Sequence, residues 1–175
     1  AAIVLQQRGH QAIVCEASDK VGGQFLTAGE APRKGEMKAA VIAMGKKAAR
    51  LGADIRLNTP VTAELIEEIK PHTVFNAIGA TPIIPNILGK DQKFVVNSHD
   101  VLNGLATPEG NVVVIGGGLV GLEVCEYMEE KGCKVTVLEM MKECGADLGM
   151  ARKICVQESL YMSGVVQQTE VTVKE

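Results

Sequence analysis

The chain has 175 residues, a formal net charge of −3 at pH 7 and 46% hydrophobic residues, values typical of a globular protein with one or two domains. The small negative charge argues against a nucleic-acid partner. The sequence contains no run of 18 apolar residues, the pattern that would indicate a membrane span. Five cysteines are scattered without a C-x-x-C pair or metal-ligand spacing, a pattern that favours a reducing, cytoplasmic environment.

The amino-terminal half predicts helices that alternate with short strands, the pattern of an α/β fold with a parallel sheet. Residues 8–16, RGHQAIVCE, indicate the end of a helix at Gly9 and an apolar strand that closes on Glu16. The predicted elements of this half are a helix end at 1–7, a strand at 12–15, a glycine-centred loop at 20–27, a helix at 35–51, a strand at 54–57, a helix at 62–69 with Thr62 as N-cap, and a strand at 73–77.

The predicted strand at 73–77 leads into small residues and prolines. Ala77 and Gly79 stand at its carboxyl end, where ligands bind in open α/β sheets and where small residues let a backbone approach closely. Pro82 and Pro85 then indicate an extended crossing into a second domain. The expected domains are residues 1–82 and residues 83–175.

The strongest motif lies in the second domain. An apolar run at 111–115, NVVVI, predicts a buried strand, residues 119–131 predict a helix, and the sequence GGGLVG connects them. Gly116, Gly118 and Gly121 have G-x-G-x-x-G spacing. This spacing means little alone, but between a strand and a helix it is the fingerprint of a turn that binds a dinucleotide's pyrophosphate at a helix N-terminus.

An acid completes the fingerprint. Glu139 follows Gly121 by 18 residues (139 − 121), at the end of a predicted strand at 135–138, where a carboxylate accepts hydrogen bonds from the adenosine ribose. Its negative charge disfavours a ribose 2′-phosphate, so the sequence predicts NADH rather than NADPH. The alternative is a glycine-rich turn without a ligand. The predicted NADH-binding residues are Gly116, Gly118, Leu119, Val120, Gly121 and Glu139.

The remaining polar residues predict structural rather than catalytic roles. Ser98 is expected to cap a helix at 98–103, after a short strand at 94–96, because no nucleophile motif surrounds it. Lone histidines near element ends are usually solvated or structural, and His10, His72 and His99 are interpreted in this way. On the 119–131 helix, Glu123, Glu126, Glu129 and Glu130 are expected to face solvent, opposite Leu122, Val124, Cys125 and Met128.

A repeat suggests that the first domain also binds a dinucleotide. Residues 131–139, KGCKVTVLE, repeat the phrase at 8–16, and in both copies the glutamate follows the glycine by seven residues. In the second copy, the last glycine of the loop, Gly121, precedes Gly132 by 11 residues. An equivalent loop before the first copy would place its last glycine 11 residues before Gly9, at position −2 (9 − 11). The chain is therefore expected to be part of a longer protein, with Glu16 as the ribose-binding acid of a first dinucleotide-binding half.

Several motifs in this order resemble one group of flavoproteins. The motifs are Gly22-Gly23-Gln24, QFLTAGEAPRK at 24–34, Asp100-Val101-Leu102 and VVVIGGGLVGLE at 112–123. Together they are similar to the NADH:flavin oxidoreductases related to 2,4-dienoyl-CoA reductase, 2-enoate reductase and trimethylamine dehydrogenase, over nearly the whole chain. The resemblance implies an FAD-type domain that is interrupted, after its A-x-G strand, by an inserted NAD(P)H domain.

The resemblance also implies functional roles. In the first domain it assigns FAD contacts to Glu16, Gly22, Gly23, Gln24, Ala77 and Gly79. It implies that hydride passes from NADH to FAD, and that electrons continue through an iron–sulfur cluster to FMN in an N-terminal barrel. This sequence contains neither the barrel nor the cluster cysteines. It also departs from the relatives at Ile78, where threonine is common, which removes a polar contact but not the close approach of the backbone.

Two classes of function remain open. The first is an NADH-dependent flavin oxidoreductase, and the second is a NAD-binding module without turnover, because the chain is not expected to retain FAD by itself. Another two-dinucleotide flavoprotein reductase is also open, although a thioredoxin-reductase-like enzyme is disfavoured by the absence of C-x-x-C. The expected partners are nicotinamide and flavin nucleotides, with no nucleic acid or membrane, and a homo-oligomer is compatible with an exposed sheet edge.

Overall fold

The structure is a computed structural model that describes residues 1–174, and it divides into two compact units. Unit 1 comprises residues 1–29 and 34–80, and unit 2 comprises residues 30–33 and the described residues from 81 onward. Within residues 1–174, no helix has the length and apolar character needed to cross a membrane.

Unit 1 contains a small parallel sheet with helices around it. Its elements are α1 (Ala2–Gln7), β1 (Ile13–Cys15), α2 (Gln24–Ala28), α3 (Gly35–Arg50), β2 (Asp54–Arg56) and α4 (Ala63–Ile69). Strands β1 and β2 pair in parallel, with Ile13 opposite Asp54. The predicted cap of α4 is confirmed, because the Thr62 hydroxyl accepts a hydrogen bond from the Leu65 amide at 3.3 Å.

The predicted strand at 73–77 is wrong for the described structure. This segment has no strand conformation, and Val74 and Phe75 are 55% and 62% exposed. The sheet of unit 1 consists of β1 and β2, and a β-branched, aromatic segment becomes a strand only where a neighbouring strand supplies hydrogen bonds and packing. The predicted short strand at 94–96 is likewise not formed.

Unit 2 is a βαβαβ arrangement. Its elements are α5 (Ser98–Leu102), β3 (Asn111–Ile115), α6 (Leu119–Glu130), β4 (Lys134–Leu138), α7 (Met150–Met162) and β5 (Val166–Gln168). The strands form a parallel sheet in the order β3-β4-β5, and Ile115, Leu138 and Gln168 lie side by side at its carboxyl edge. The predicted α/β class with a parallel sheet is confirmed, and the arrangement is Rossmann-like.

The core of unit 2 lies between this sheet and its helices. Leu122 and Cys125 of α6, Val137 of β4 and Leu160 of α7 are fully buried, and removing such side chains from water provides most of the stabilisation of a small domain. Helix α5 begins one residue earlier than a Ser98 cap implies. Asn97, not Ser98, is its cap, because the Asn97 side chain accepts a hydrogen bond from the Asp100 amide at 2.9 Å.

Two glutamates of α6 correct the prediction that its acidic side faces solvent. Glu123 and Glu126 are only 5% and 3% exposed. The Glu126 carboxylate is held in an ion pair by Arg33, and its other oxygen lies 3.5 Å from the Arg152 guanidinium of α7. Charge neutralisation by two arginines explains how this carboxylate is buried, since an unpaired buried charge is strongly unfavourable.

Arg33 provides a prediction about stability. Its φ is +62°, a left-handed conformation that is unfavourable for any residue with a Cβ. Replacement by alanine and replacement by glycine should therefore have different effects on the free energy of unfolding. We expect Arg33→Ala to lower the free energy of unfolding by about 1–3 kcal/mol, because Glu126 loses an ion-pair partner. Arg33→Gly removes the same ion pair but relieves the strain of the positive φ. The loss of stability in Arg33→Gly should therefore be about 1 kcal/mol smaller than in Arg33→Ala.

Chemical denaturation of the full chain measures both changes. Arg50→Ala is the matched control, because Arg50 is an exposed arginine in the last turn of α3. Its replacement should change the free energy of unfolding by no more than about 0.5 kcal/mol. An Arg33→Gly variant less stable than Arg33→Ala would contradict the role given to the backbone strain.

Candidate functional site

The glycine-rich turn connects β3 to α6 at the carboxyl edge of the unit 2 sheet. Gly116 has φ of +100°, a conformation that favours glycine, and its N–H donates to the Leu138 carbonyl at 2.8 Å. Gly118 is the extended residue that precedes α6, with φ of −74°. The chain therefore leaves the strand, bends within three residues, 116–118, and enters the helix, as the fingerprint predicts.

Gly121 packs the first turn of α6 directly against this bend. A Cβ built on Gly121 would lie 1.9 Å from the Gly116 carbonyl oxygen and 3.0 Å from its carbonyl carbon. Both contacts are with backbone, which cannot rotate away as a side chain can. The position therefore requires glycine, which agrees with the role of close helix–strand packing expected from the sequence.

The Glu139 carboxylate is directed at the bend. It follows β4, is 9% exposed, and accepts hydrogen bonds from the Gly117 and Met141 amides, each at 2.7 Å. One carboxylate oxygen is used in each bond. Because an ionised carboxylate has about four acceptor positions, the two remaining positions can accept hydrogen bonds from a ribose diol.

Asp147 is a residue of this site that the sequence reasoning missed. Its carboxylate accepts a hydrogen bond from the Leu119 amide, the first residue of α6, at 3.1 Å. Such a bond is ordinary capping chemistry, but the cap stands 28 residues away in sequence. No local motif could have indicated it.

A buried cysteine lies beneath the bend. A Cβ built on Gly117 would lie 2.6 Å from the Cys144 sulfur, and the next residue, Gly145, donates its N–H to the Gly117 carbonyl at 2.7 Å. Burial raises the pKa of the Cys144 thiol, and burial, followed by the electrostatic interaction with Cys144, raises the pKa of Cys125 to about 12. Both thiols are therefore packing groups rather than nucleophiles.

Cysteine alkylation checks this assignment. Because the thiolate is the reactive form and the pKa of Cys125 is raised to about 12, its labelling should stay negligible as the pH rises from about 7 to 10. Cys155 is exposed on α7 and should be labelled first. Peptide mass spectrometry after iodoacetamide treatment measures the order, with the denatured chain as the control in which all five cysteines react. Equal labelling rates for Cys125 and Cys155 in the folded chain would contradict the burial.

One hydrogen bond of unit 1 connects two of the segments that carry its predicted residues. The Gln24 side-chain amide donates to the Ala80 carbonyl at 2.5 Å, which joins the GGQ turn to the A-x-G segment, where Gly79 has φ of +80°. The Glu16 carboxylate accepts hydrogen bonds from the amide and hydroxyl of Ser18, both at 2.9 Å. Gly22 and Gly23 have φ of +132° and +49°, and Ala77 is exposed in the segment before Gly79.

A parallel βαβαβ sheet with a glycine bend at its carboxyl edge and a carboxylate directed at the bend defines the class of Rossmann-like α/β proteins. The chain belongs to the pyridine nucleotide-disulphide oxidoreductase family, whose sequence profile matches residues 1–175. The resemblance to NADH:flavin oxidoreductases of the enoate and dienoyl-CoA reductase type is likewise confirmed by individual relatives.

Two curated proteins and one solved structure are similar to nearly the whole chain. Bilirubin reductase of Mediterraneibacter gnavus is 37% identical over 98% of the chain, and NADH oxidase of Thermoanaerobacter brockii is 35% identical over 100% of it. The structure of a 2-naphthoyl-CoA reductase in complex with 2-naphthoyl-CoA matches 99% of the chain with 30% identity and a TM-score of 0.93. The chain spans about a quarter of these proteins, namely 27%, 28% and 26% of their lengths.

Proposed function

We propose that unit 2 binds NADH, in a protein that passes hydride from NADH to FAD and resembles the enoate and dienoyl-CoA reductases. The observation that carries the proposal is the hydrogen bond from the Gly117 amide to the Glu139 carboxylate at 2.7 Å. This bond supports the proposal, because it holds a carboxylate that could accept hydrogen bonds from a ribose beside the turn that would receive the diphosphate. The first amides of α6 add the partial positive charge of a helix N-terminus, which favours an anion.

The residues present fit an adenine dinucleotide with an unmodified ribose. Glu139 is held by two amides, so it cannot easily swing away from a 2′-phosphate, and that phosphate would meet its negative charge at close range. Lys142 is the single cation in residues 140–147, and it is exposed. The site therefore favours NADH over NADPH, and a preference of at least about tenfold corresponds to only about 1.4 kcal/mol.

Unit 1 is proposed to contribute the flavin contacts. The support is the contact between Gln24 and Ala80, which brings the GGQ turn beside Gly79, where a positive φ of +80° leaves the backbone open to close approach. NADH and FAD, when bound, supply the hydride donor and acceptor, while the chain orients them and excludes water. The FMN and iron–sulfur cluster are proposed for the whole protein on the family resemblance alone.

Calorimetric titration of the full chain with NADH and NADPH tests the proposed site. The expected result is that NADH binds, that NADPH binds at least about tenfold more weakly, and that Gly118→Asp abolishes binding of both. A Cβ on Gly118 would lie 3.3 Å from an Asp147 oxygen, so the new carboxylate adds a second negative charge where the diphosphate must sit.

Gly35→Asp is the matched control, because it introduces the same charge at the start of α3, where a Cβ would contact nothing within 4 Å. Equal NADH signals from the native chain and Gly118→Asp, or no signal from the native chain, would count against the proposal.

A NAD-binding module without turnover is the second candidate for the chain as described. It is favoured by the small sheet of unit 1, with two strands of three residues each, and by the exposure of Phe75 and Ile78, 62% and 85%. Absorbance of the purified chain separates the candidates. A stoichiometric flavin band that bleaches with NADH would support turnover by this chain, whereas NADH binding without such a band would support the module.

A further inference from the structure

Asp147 lies where the proposed dinucleotide would place its diphosphate. Its carboxylate accepts the hydrogen bond of the Leu119 amide at 3.1 Å, and this amide is among the first of α6, the groups that lack partners within the helix. An anion bound at this helix terminus needs the same donors. The protein's own carboxylate therefore already uses a donor that the ligand requires.

The carboxylate also occupies space that the fingerprint leaves open. A Cβ built on Gly118 would lie 3.3 Å and 3.7 Å from the two Asp147 carboxylate oxygens, so the carboxylate lies directly over this glycine. A glycine at this position of the motif allows a pyrophosphate to approach the backbone. Phosphate and carboxylate thus compete for one volume and not only for one hydrogen bond.

The segment that carries Asp147 is anchored by contacts that do not involve the Asp147 side chain. The Gly145 amide bonds to the Gly117 carbonyl at 2.7 Å, and the Cys144 carbonyl accepts a hydrogen bond from the Gln157 side chain of α7 at 3.0 Å. These contacts hold residues 144–145 against the bend. Asp147 is exposed, so its carboxylate can leave the helix terminus without breaking either anchor.

We infer that Asp147 is an intramolecular competitor of the dinucleotide's diphosphate and sets the affinity of the site. The inference rests on the proposed function. Binding must displace one carboxylate from the helix terminus and then hold the diphosphate near it, so like charges repel as the ligand enters. The site consequently binds its ligand more weakly than the same turn without this charge, which favours exchange of the nucleotide over its retention.

Asp147→Asn isolates the charge. Asparagine caps helices as well as aspartate does, so it can keep the acceptor for the Leu119 amide and the fold of the segment. Removing the charge should raise affinity for NADH and ADP by about threefold to tenfold at low ionic strength, where charge effects are least screened. Adenosine, which lacks phosphate, should bind the native chain and the variant equally.

Titrations followed by amide NMR measure these affinities for the full chain with NADH, ADP and adenosine as probes. Glu109→Gln is the control, because Glu109 is an exposed acid just before β3 begins, at the end of the strand opposite the bend, and its loss should change none of the three affinities.

Improved binding of NADH and ADP, with unchanged adenosine binding, is the expected result. Unchanged or weaker binding of NADH and ADP by Asp147→Asn would overturn the inference while leaving the proposed function intact. An equal gain for adenosine would also overturn it, since the effect would not depend on the diphosphate. If no protein binds any of the three probes, the proposed function itself fails, and the inference falls with it.

Discussion

Gly121→Ala is expected to lower the free energy of unfolding of unit 2 by about 3 kcal/mol or more and to abolish NADH binding. The new methyl group would lie 1.9 Å from the Gly116 carbonyl oxygen, far inside contact distance. Because both partners belong to the backbone, relief requires that α6 move away from β3 or that the bend open. Either movement displaces the amides that would bind the diphosphate.

Denaturant unfolding and an NADH titration measure the two effects. Gly149→Ala is the matched control, because Gly149 precedes α7 with φ of −62° and its Cβ would contact nothing within 4 Å. That substitution should change stability by less than about 0.5 kcal/mol. A Gly121→Ala chain with native stability and native NADH affinity would show that α6 does not pack on the bend as described.

Glu139→Leu is expected to have the second large effect, on stability and on binding together. The substitution leaves the buried Gly117 amide and the Met141 amide without their acceptor, and each unsatisfied group costs about 1–3 kcal/mol. The expected loss is therefore about 2–6 kcal/mol. The proposed ribose acceptor disappears at the same time, so NADH binding should be lost.

Glu139→Gln separates the two roles of this carboxylate. The amide side chain can still accept a hydrogen bond from one of the two backbone amides but carries no charge. The free-energy difference between NADH and NADPH binding should therefore fall by more than the free energy of unfolding. Glu143→Gln serves as the control, because Glu143 is an exposed acid of the following segment whose pair with Lys153 is worth at most about 1 kcal/mol. Unchanged NADH preference in Glu139→Gln would remove the carboxylate from its proposed role.

The spacing of a few residues was sufficient to predict the centre of the candidate site. Gly116, Gly118 and Gly121 each meet a local backbone requirement, and these requirements recur wherever a parallel strand turns into a helix. The position of Glu139 follows from the length of one helix and one strand. Local rules of this kind depend little on the rest of the fold, which is why the turn and its acid were predictable.

Contacts between remote segments were not predictable in the same way. The acidic pattern of α6 indicated a solvated side, but Arg33, which is 93 residues away in sequence, neutralises Glu126 and allows its burial. Asp147 reaches the helix terminus through a loop with no motif of its own. Helical periodicity describes which side chains share a face, and it does not describe which charges another segment will bring to that face.

The wrong strand at 73–77 has a related cause. Thr73, Val74 and Phe75 have high strand propensity, but propensity describes how well a residue fits a sheet that already exists. In the described structure, β1 pairs with β2, and neither strand receives the 73–77 segment as a neighbour. The prediction therefore failed on tertiary pairing rather than on local sequence.

Residue-resolved amide NMR of the full chain, titrated with NADH, tests the central claim most directly. If the bend binds the diphosphate and Glu139 binds the ribose, the largest chemical-shift changes will fall on the amides of residues 116–120 and of Glu139 and Met141. NADPH at the same concentration should move these resonances less. Changes that are confined to other residues, or the absence of changes at saturating NADH, would contradict the account.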